Sequence, residues 1–432
     1  MKIRSILFIL GVTFSQFSLA QQTLPRDPDC CTSIMVGKLA STDGSVMTSH
    51  TCDSWYRTWV NVVPAADFAN DTVMNIYDGR MHTESVNDQT KLTVKGQIPQ
   101  AKHTYAFLDT AYPCLNEKQL AMGETTISGR DTLRNPKGMF MIEELARVAL
   151  QRCTTARDAI QLMGKLVKEY GYGDSGECLT IADPKEVWHF EIFGEGPDQI
   201  GGVWAAVRIP DDEVGVSANI SRISTLNLKD TRNYMASENV FRVAKKLKLW
   251  DGKEPFKFWK VYGGPNYFGK MQAFSIREFF ILSTLAPSLK LSMDDEELPL
   301  SVKPEKKISN ADVMAYLRQT YEGTEWSVTK NLKVAVKDRK TGKTDTITSP
   351  RANPWMRTDE VQLFNALQKG AVTANRNVAV PQCAYSTVIQ LRDWLPDAVG
   401  GVCWFGMDNP GQSPRVPIFC GTTDLPEMFK IC

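Results

Sequence analysis

Cys31 is the residue whose immediate surroundings could do chemistry by themselves. It lies in Asp29-Cys30-Cys31-Thr32-Ser33-Ile34-Met35-Val36-Gly37-Lys38. A chain cut between Cys30 and Cys31 begins with a thiol and a free α-amine on one residue. The thiolate is the attacking species, and an amine with a pKa near ~8 can take its proton at neutral pH. As an ordinary strand-opening residue, Cys31 would instead be a buried thiol or one half of a disulfide. This stretch alone leaves both readings open.

The elements around Cys31 must place it against partners. Residues 21–30, QQTLPRDPDC, carry two prolines and polar neighbours and read as an exposed, cleavable linker. From Thr32 to Lys38 the pattern is strand-like. A turn at Ser41-Thr42-Asp43-Gly44 and a second strand from Ser45 to Asp53 follow. That hairpin sets Cys31 beside Ser49–Asp53. Met139–Tyr172 is helical, with Met141, Leu145, Val148 and Ala149 at helical spacing and Thr154-Thr155 as a cap for a second helix.

Strands return at Cys178–Ala182, Glu186–Phe193, Gly202–Ile209 and Val214–Ile223. Helices are expected near Met235–Lys248, Ile276–Leu285 and Asn310–Tyr321, then strands at Leu332–Lys337, Ser386–Leu391, Gly401–Gly406 and Val416–Cys420. Strand clusters separated by helical blocks point to an α+β fold with mainly antiparallel sheets. The expected organisation is a signal peptide over 1–20, a propeptide over 21–30 and one domain over 31–432, with a helix-rich insertion around 235–330.

Bulk properties narrow the partners. At 432 residues, 43% hydrophobic and 23% charged, the chain has the composition of a globular protein with a sizeable core. A net charge of +1 gives no basic field for nucleic acid. Lys2 and Arg4, an apolar run from Ile6 to Phe14 and Ser18-Leu19-Ala20 form an export signal. No later segment is long and apolar enough for a membrane helix. Besides Cys30 and Cys31, the cysteines are Cys52, Cys114, Cys153, Cys178, Cys383, Cys403, Cys420 and Cys432, an even number compatible with bridges in an exported protein. No Cys/His spacing suggests a metal site, and no cofactor motif occurs.

The sequence resembles the dipeptidase-A and secernin-type cysteine peptidases of the N-terminal-nucleophile hydrolases. The resemblance rests on Cys31-Thr32-Ser33-Ile34-Met35-Val36-Gly37, Thr42-Asp43-Gly44-Ser45 and His50-Thr51-Cys52-Asp53. Further down it includes Met122-Gly123-Glu124-Thr125, Ile181-Ala182-Asp183-Pro184, Trp204-Ala205-Ala206-Val207 and Ala218-Asn219 with Arg222-Ile223. It covers most of residues 31–225 and returns loosely over 386–416.

The resemblance implies a four-layer αββα sandwich, loss of a propeptide, and Cys31 as nucleophile toward small peptides. It also implies Asp53 near the new terminus and Asn219 as an oxyanion-hole amide. Arg222 would orient the site or bind a substrate carboxylate, and Glu124 would neighbour the oxyanion or meet a substrate ammonium group. His50 stands where many relatives carry arginine, so activation of Cys31 can depend on pH here. Two other readings remain: an amidase of the same fold acting on bile-acid or N-acyl amino acid conjugates, and a secreted binding protein in which Cys31 is only a bridge partner. Oligomeric state stays open, a homo-oligomer included.

Gly173-Asp174-Ser175-Gly176 spells a serine-protease motif but joins a helix to a strand, and reads as a turn. Cys52 could bridge to Cys114 or be a second reactive thiol.

Overall fold

The computed structural model describes residues 31–265, 271–373 and 375–432. The expected signal peptide and propeptide lie outside the described residues.

Two large antiparallel sheets form the middle of the molecule. One has seven strands in the order Ser301–Val302, Val214–Ser217, Ser33–Val36, Val46–Asp53, Cys383–Leu391, Val402–Met407 and Val416–Phe419. The other has eight: Tyr234–Ala236, Gly202–Arg208, Val187–Gly194, Glu177–Ala182, Ala121–Thr126, Leu115–Asn116, Phe107–Asp109 and Asn61–Val63. The helices Ile142–Arg152 and Ala156–Tyr170 lie against the eight-stranded sheet, where Leu145, Val148, Ile160 and Met163 join Leu179, Ile181 and Phe190 in one core. On the far side, Ile276–Leu285 and Asn310–Leu317 cover the seven-stranded sheet through Ile281, Leu285, Val313 and Leu317 packed with Ile34, Val216 and Val388. The layers therefore run αββα.

The inner faces of the sheets meet through polar groups. Thr48 Oγ1 lies 2.6 Å from Thr180 Oγ1, and Thr125 Oγ1 lies 2.7 Å from Ser217 Oγ. Close approach needs Gly123, because a Cβ there would sit 2.3 Å from the Ser49 carbonyl oxygen. Short hydroxyl side chains and one glycine let the sheets close at the end where Cys31 enters.

Local signals acted largely as the sequence suggests. Thr155 caps its helix by accepting from the Asp158 N–H. Ser275 and Glu278 form a reciprocal capping box that starts the next helix at Ile276. Thr32 bridges Thr51, so the first hairpin does bring Cys31 beside the end of the second strand. Residues 173–176 form a bend between a helix and a strand.

Two expected elements need correction. The strand from Val214 stops at Ser217, because the N–H groups of Arg222 and Ile223 bond to the Glu191 carboxylate instead of a neighbouring strand. The helix expected over 235–248 is confined to Val240–Lys246, since Tyr234–Ala236 pairs as an edge strand with Ala205–Val207. The strand expected over 332–337 is present as Lys333–Lys337, in an exposed hairpin with Thr344–Thr348 outside both large sheets. No two described cysteines are joined by a disulfide, Cys52 and Cys114 included. Among the described residues, no helix is long and apolar enough to cross a membrane.

Candidate active site

Cys31 sits at the head of the strand Ser33–Val36 and is fully buried. Its nitrogen donates to Asn219 Oδ1 at 2.8 Å, and Asn219 Nδ2 donates to the Thr126 carbonyl at 2.7 Å. Asn219 holds φ at +64°, the left-handed region, which asparagine tolerates better than most residues. It therefore stands in a loop rather than in a strand. Glu191 secures that loop by accepting from the N–H groups of Arg222 (2.5 Å) and Ile223 (3.1 Å) and from the Ser221 hydroxyl.

A second clamp comes from the start of the helix Ile276–Leu285. Arg277 Nη1 donates to the Cys31 carbonyl at 2.7 Å and to Thr32 Oγ1 at 3.1 Å, while its Nη2 reaches the Ala218 carbonyl at 3.0 Å. The adjacent Glu278 accepts from the Ala218 N–H at 2.8 Å. One helical turn thus ties the Cys31 end to the Asn219 loop.

Around the sulfur stand His50 and Glu124. Cys31 Sγ, an imidazole nitrogen of His50 and a carboxylate oxygen of Glu124 all lie within 4.8 Å of one another. His50 Nε2 is 3.3 Å from Glu124 Oε2, but the pair is not aligned as a hydrogen bond, and both ring nitrogens are buried without a hydrogen-bond partner. Tyr112 and Tyr385 close on the imidazole edge-on, with centroids at 5.5 and 5.6 Å. Among the described residues, Cys31, His50 and Glu124 are the one set of three metal-type donors whose atoms all lie within 4.8 Å of one another. They come from three separate segments, so sequence spacing cannot reveal them.

Asp53 is placed differently from the expectation. Its carboxylate does not take the Cys31 nitrogen, which bonds Asn219 instead. The carboxylate accepts from Arg376 Nη2 and from Thr51 Oγ1, each at 2.9 Å. Thr51 Oγ1 in turn accepts from the Thr32 N–H at 2.9 Å, so Asp53 braces the strand start next to Cys31. Burial first, then the negative charges of Glu124, Cys52 and Asp53, push the Cys31 thiol well above its ordinary pKa. The sulfur therefore needs a base at the moment of attack.

Of the residues expected from sequence, the structure brings Cys31, His50, Asp53, Glu124 and Asn219 together. Arg222 is not brought into that set. It is buried, donates through Nη2 to the Pro299 carbonyl at 2.6 Å, and lines a separate cavity of about 390 Å³ with Glu297 and Tyr234. The arginine that touches Cys31 is Arg277. The capping box Ser275-x-x-Glu278 signals the helix start beside it, but nothing in the sequence gives its reach. Arg376 and Glu177 were equally silent.

The profile of peptidase family C69 matches residues 30–431, nearly the whole chain. The chain belongs to peptidase family C69. As a member it is a hydrolase of peptide bonds. A probable dipeptidase of Latilactobacillus sakei is 27% identical over 405 residues, covering 93% of this chain and 76% of that protein. A probable dipeptidase B of Streptococcus pyogenes serotype M1 is 26% identical over 276 residues, 63% of this chain and 48% of its own length. A probable dipeptidase of Salmonella dublin is 24% identical over 408 residues, 90% of this chain and 81% of that protein. The αββα layering is the fold of this C69 chain.

Proposed function

We propose that the protein is an exported dipeptidase whose nucleophile is the thiol of Cys31 after residues 1–30 have been removed. The observation that carries this reading is the hydrogen bond from the Cys31 nitrogen to Asn219 Oδ1 at 2.8 Å, made by the same residue whose sulfur faces His50 and Glu124. With Cys30 gone, that nitrogen becomes an amine. One N–H remains on Asn219, and the lone pair is available to the sulfur's proton.

The amine takes the thiol proton as sulfur attacks the peptide carbonyl, then returns it to the departing amine. A thioester on Cys31 results, and water hydrolyses it. The second hydrogen on Asn219 Nδ2 is a donor for the developing oxyanion. Arg277 holds the Cys31 carbonyl so that the strand cannot retreat when the terminus is freed.

N-terminal sequencing and intact mass of the purified protein test the reading, alongside Cys31→Ala. Wild type is expected to begin at Cys31 and to split dipeptides. The variant is expected to keep residues 21–30 if the cleavage is its own. An active enzyme that retains any residue before Cys31 overturns the amine mechanism. Activity on acyl conjugates without activity on dipeptides overturns the substrate.

A further inference from the structure

We propose that Glu124 and Glu177 form the receptor for the substrate's α-ammonium group, so that the enzyme reads a free amino terminus. This rests on the dipeptidase reading and adds to it a specificity and the residues that set it.

The stereochemistry of a dipeptide fixes where such a receptor must be. The ammonium nitrogen is two bonds from the carbonyl carbon that sulfur attacks, about 2.5 Å away. Its acceptor must therefore stand about one contact distance from the sulfur. A Glu124 carboxylate oxygen lies within 4.8 Å of Cys31 Sγ.

Glu177 joins it through strand register. Thr126 pairs with Glu177 across the antiparallel ladder, and Glu124 lies two residues before Thr126, on the same face. The two carboxyls are diagonal neighbours on one face of the ladder. Thr126 Oγ1 donates to Glu124 Oε1 at 3.0 Å and fixes that side chain.

Several valences at this spot are open. Glu124 is 0% and Glu177 2% exposed, yet Oε2 of each has no hydrogen-bond partner. Among the described residues, no lysine or arginine forms an ion pair with either; the basic group beside them is the His50 imidazole, whose Nε2 stands 3.3 Å from Glu124 Oε2 without hydrogen-bond alignment.

Buried carboxyls without a cation are costly, and they are retained where a ligand supplies the charge. Burial, reinforced by Glu124 and Asp174, pushes the Glu177 carboxyl well up from its ordinary value. An arriving ammonium group supplies the missing charge and completes the hydrogen bonds. An acylated amine brings no charge and leaves the oxygens unpaired, and a site of this kind discriminates strongly against such a ligand.

The test uses the processed enzyme with one dipeptide in free and N-acetylated forms. Wild type is expected to favour the free form by about 100-fold or more in kcat/KM. Leucinamide, a cation without a carboxylate, should inhibit competitively, and N-acetylleucinamide should not. Glu177→Gln should cut the free-to-acetyl ratio at least about tenfold, mainly through KM, and weaken leucinamide in step. The inhibitor comparison needs only wild type, so it stands even where Glu177→Gln fails to fold. Equal turnover of both peptide forms, equal inhibition by both amides, or an unchanged ratio in a folded Glu177→Gln overturns the receptor while leaving the dipeptidase reading intact. Hydrolysis of neither form overturns the dipeptidase reading itself.

Discussion

Two buried constellations of cysteine, histidine and glutamate occur in this fold, and the better bonded one is the less suited to catalysis. In the first, His50 and Glu124 face Cys31 with both ring nitrogens and one carboxylate oxygen unpaired by hydrogen bonds. In the other, Cys178 Sγ stands 3.5 Å from His189 Nδ1, and His189 Nε2 is 2.7 Å from Glu191 Oε1. The Ser217 hydroxyl donates to the Cys178 sulfur at 3.4 Å, and Glu191 fills its remaining capacity with Ser221 and two backbone N–H groups. By residue type the Cys178 set has the makings of a protease triad. Saturated hydrogen bonding makes it a brace, whose product is the fixed position of the Asn219 loop. Open valence beside a strand terminus marks the reactive set, not the identity of its members.

Substituting the two cysteines separates the sets most sharply. Cys31→Ala should lower kcat on a dipeptide by about 10⁴-fold or more, whereas Cys178→Ala should stay within about threefold at saturating substrate. Comparable losses in both would mean that the Cys178 set takes part in the chemistry.

Asn219→Gly comes next in size. Glycine accepts the φ of +64° without strain, so the backbone stays while the acceptor for the Cys31 nitrogen and the oxyanion donor disappear. Turnover should fall about 10²- to 10³-fold. The midpoint of thermal unfolding, followed by circular dichroism, should move only slightly. A large drop in that midpoint with normal turnover would make Asn219 a purely structural residue.

How much of this was legible in the sequence follows from the range of each interaction. The first hairpin, the Thr155 cap and the helix beginning at Ile276 depend on neighbours a few residues away, and their patterns stand in the chain. Cys31 was legible because a thiol and, in a chain that begins there, an amine stand on one residue. Arg277 meets Cys31 across 246 positions and Arg376 meets Asp53 across 323, distances at which periodicity carries no information. The same limit explains Arg222. Its neighbours Ala218 and Asn219 suggest the site, but the Glu191 anchor turns the chain so that the guanidinium goes to Pro299. His50 and Glu124 could be named from the sequence one at a time. Only the packing of the two sheets shows that they share one pocket.

The smallest expected effect concerns the brace and appears in stability. Burial pulls His189 down, but the Cys178 sulfur and the Glu191 carboxylate outweigh it and hold its pKa up to about 10. An unfolded histidine titrates near ~6.5. A folded pKa above the unfolded one means that the contribution is complete below about pH 6.5 and fades as pH rises through about 10. Wild type should therefore lose stability across that window by urea titration. His189→Gln keeps a donor toward Glu191 but no charge. It should cost about 1–3 kcal/mol at pH 6 and flatten the dependence, with dipeptide turnover changing less than in Asn219→Gly. If the slope survived the substitution, the brace would owe its strength to Glu191 and the backbone alone, and the contrast between the two sets would rest on hydrogen-bond count rather than on charge.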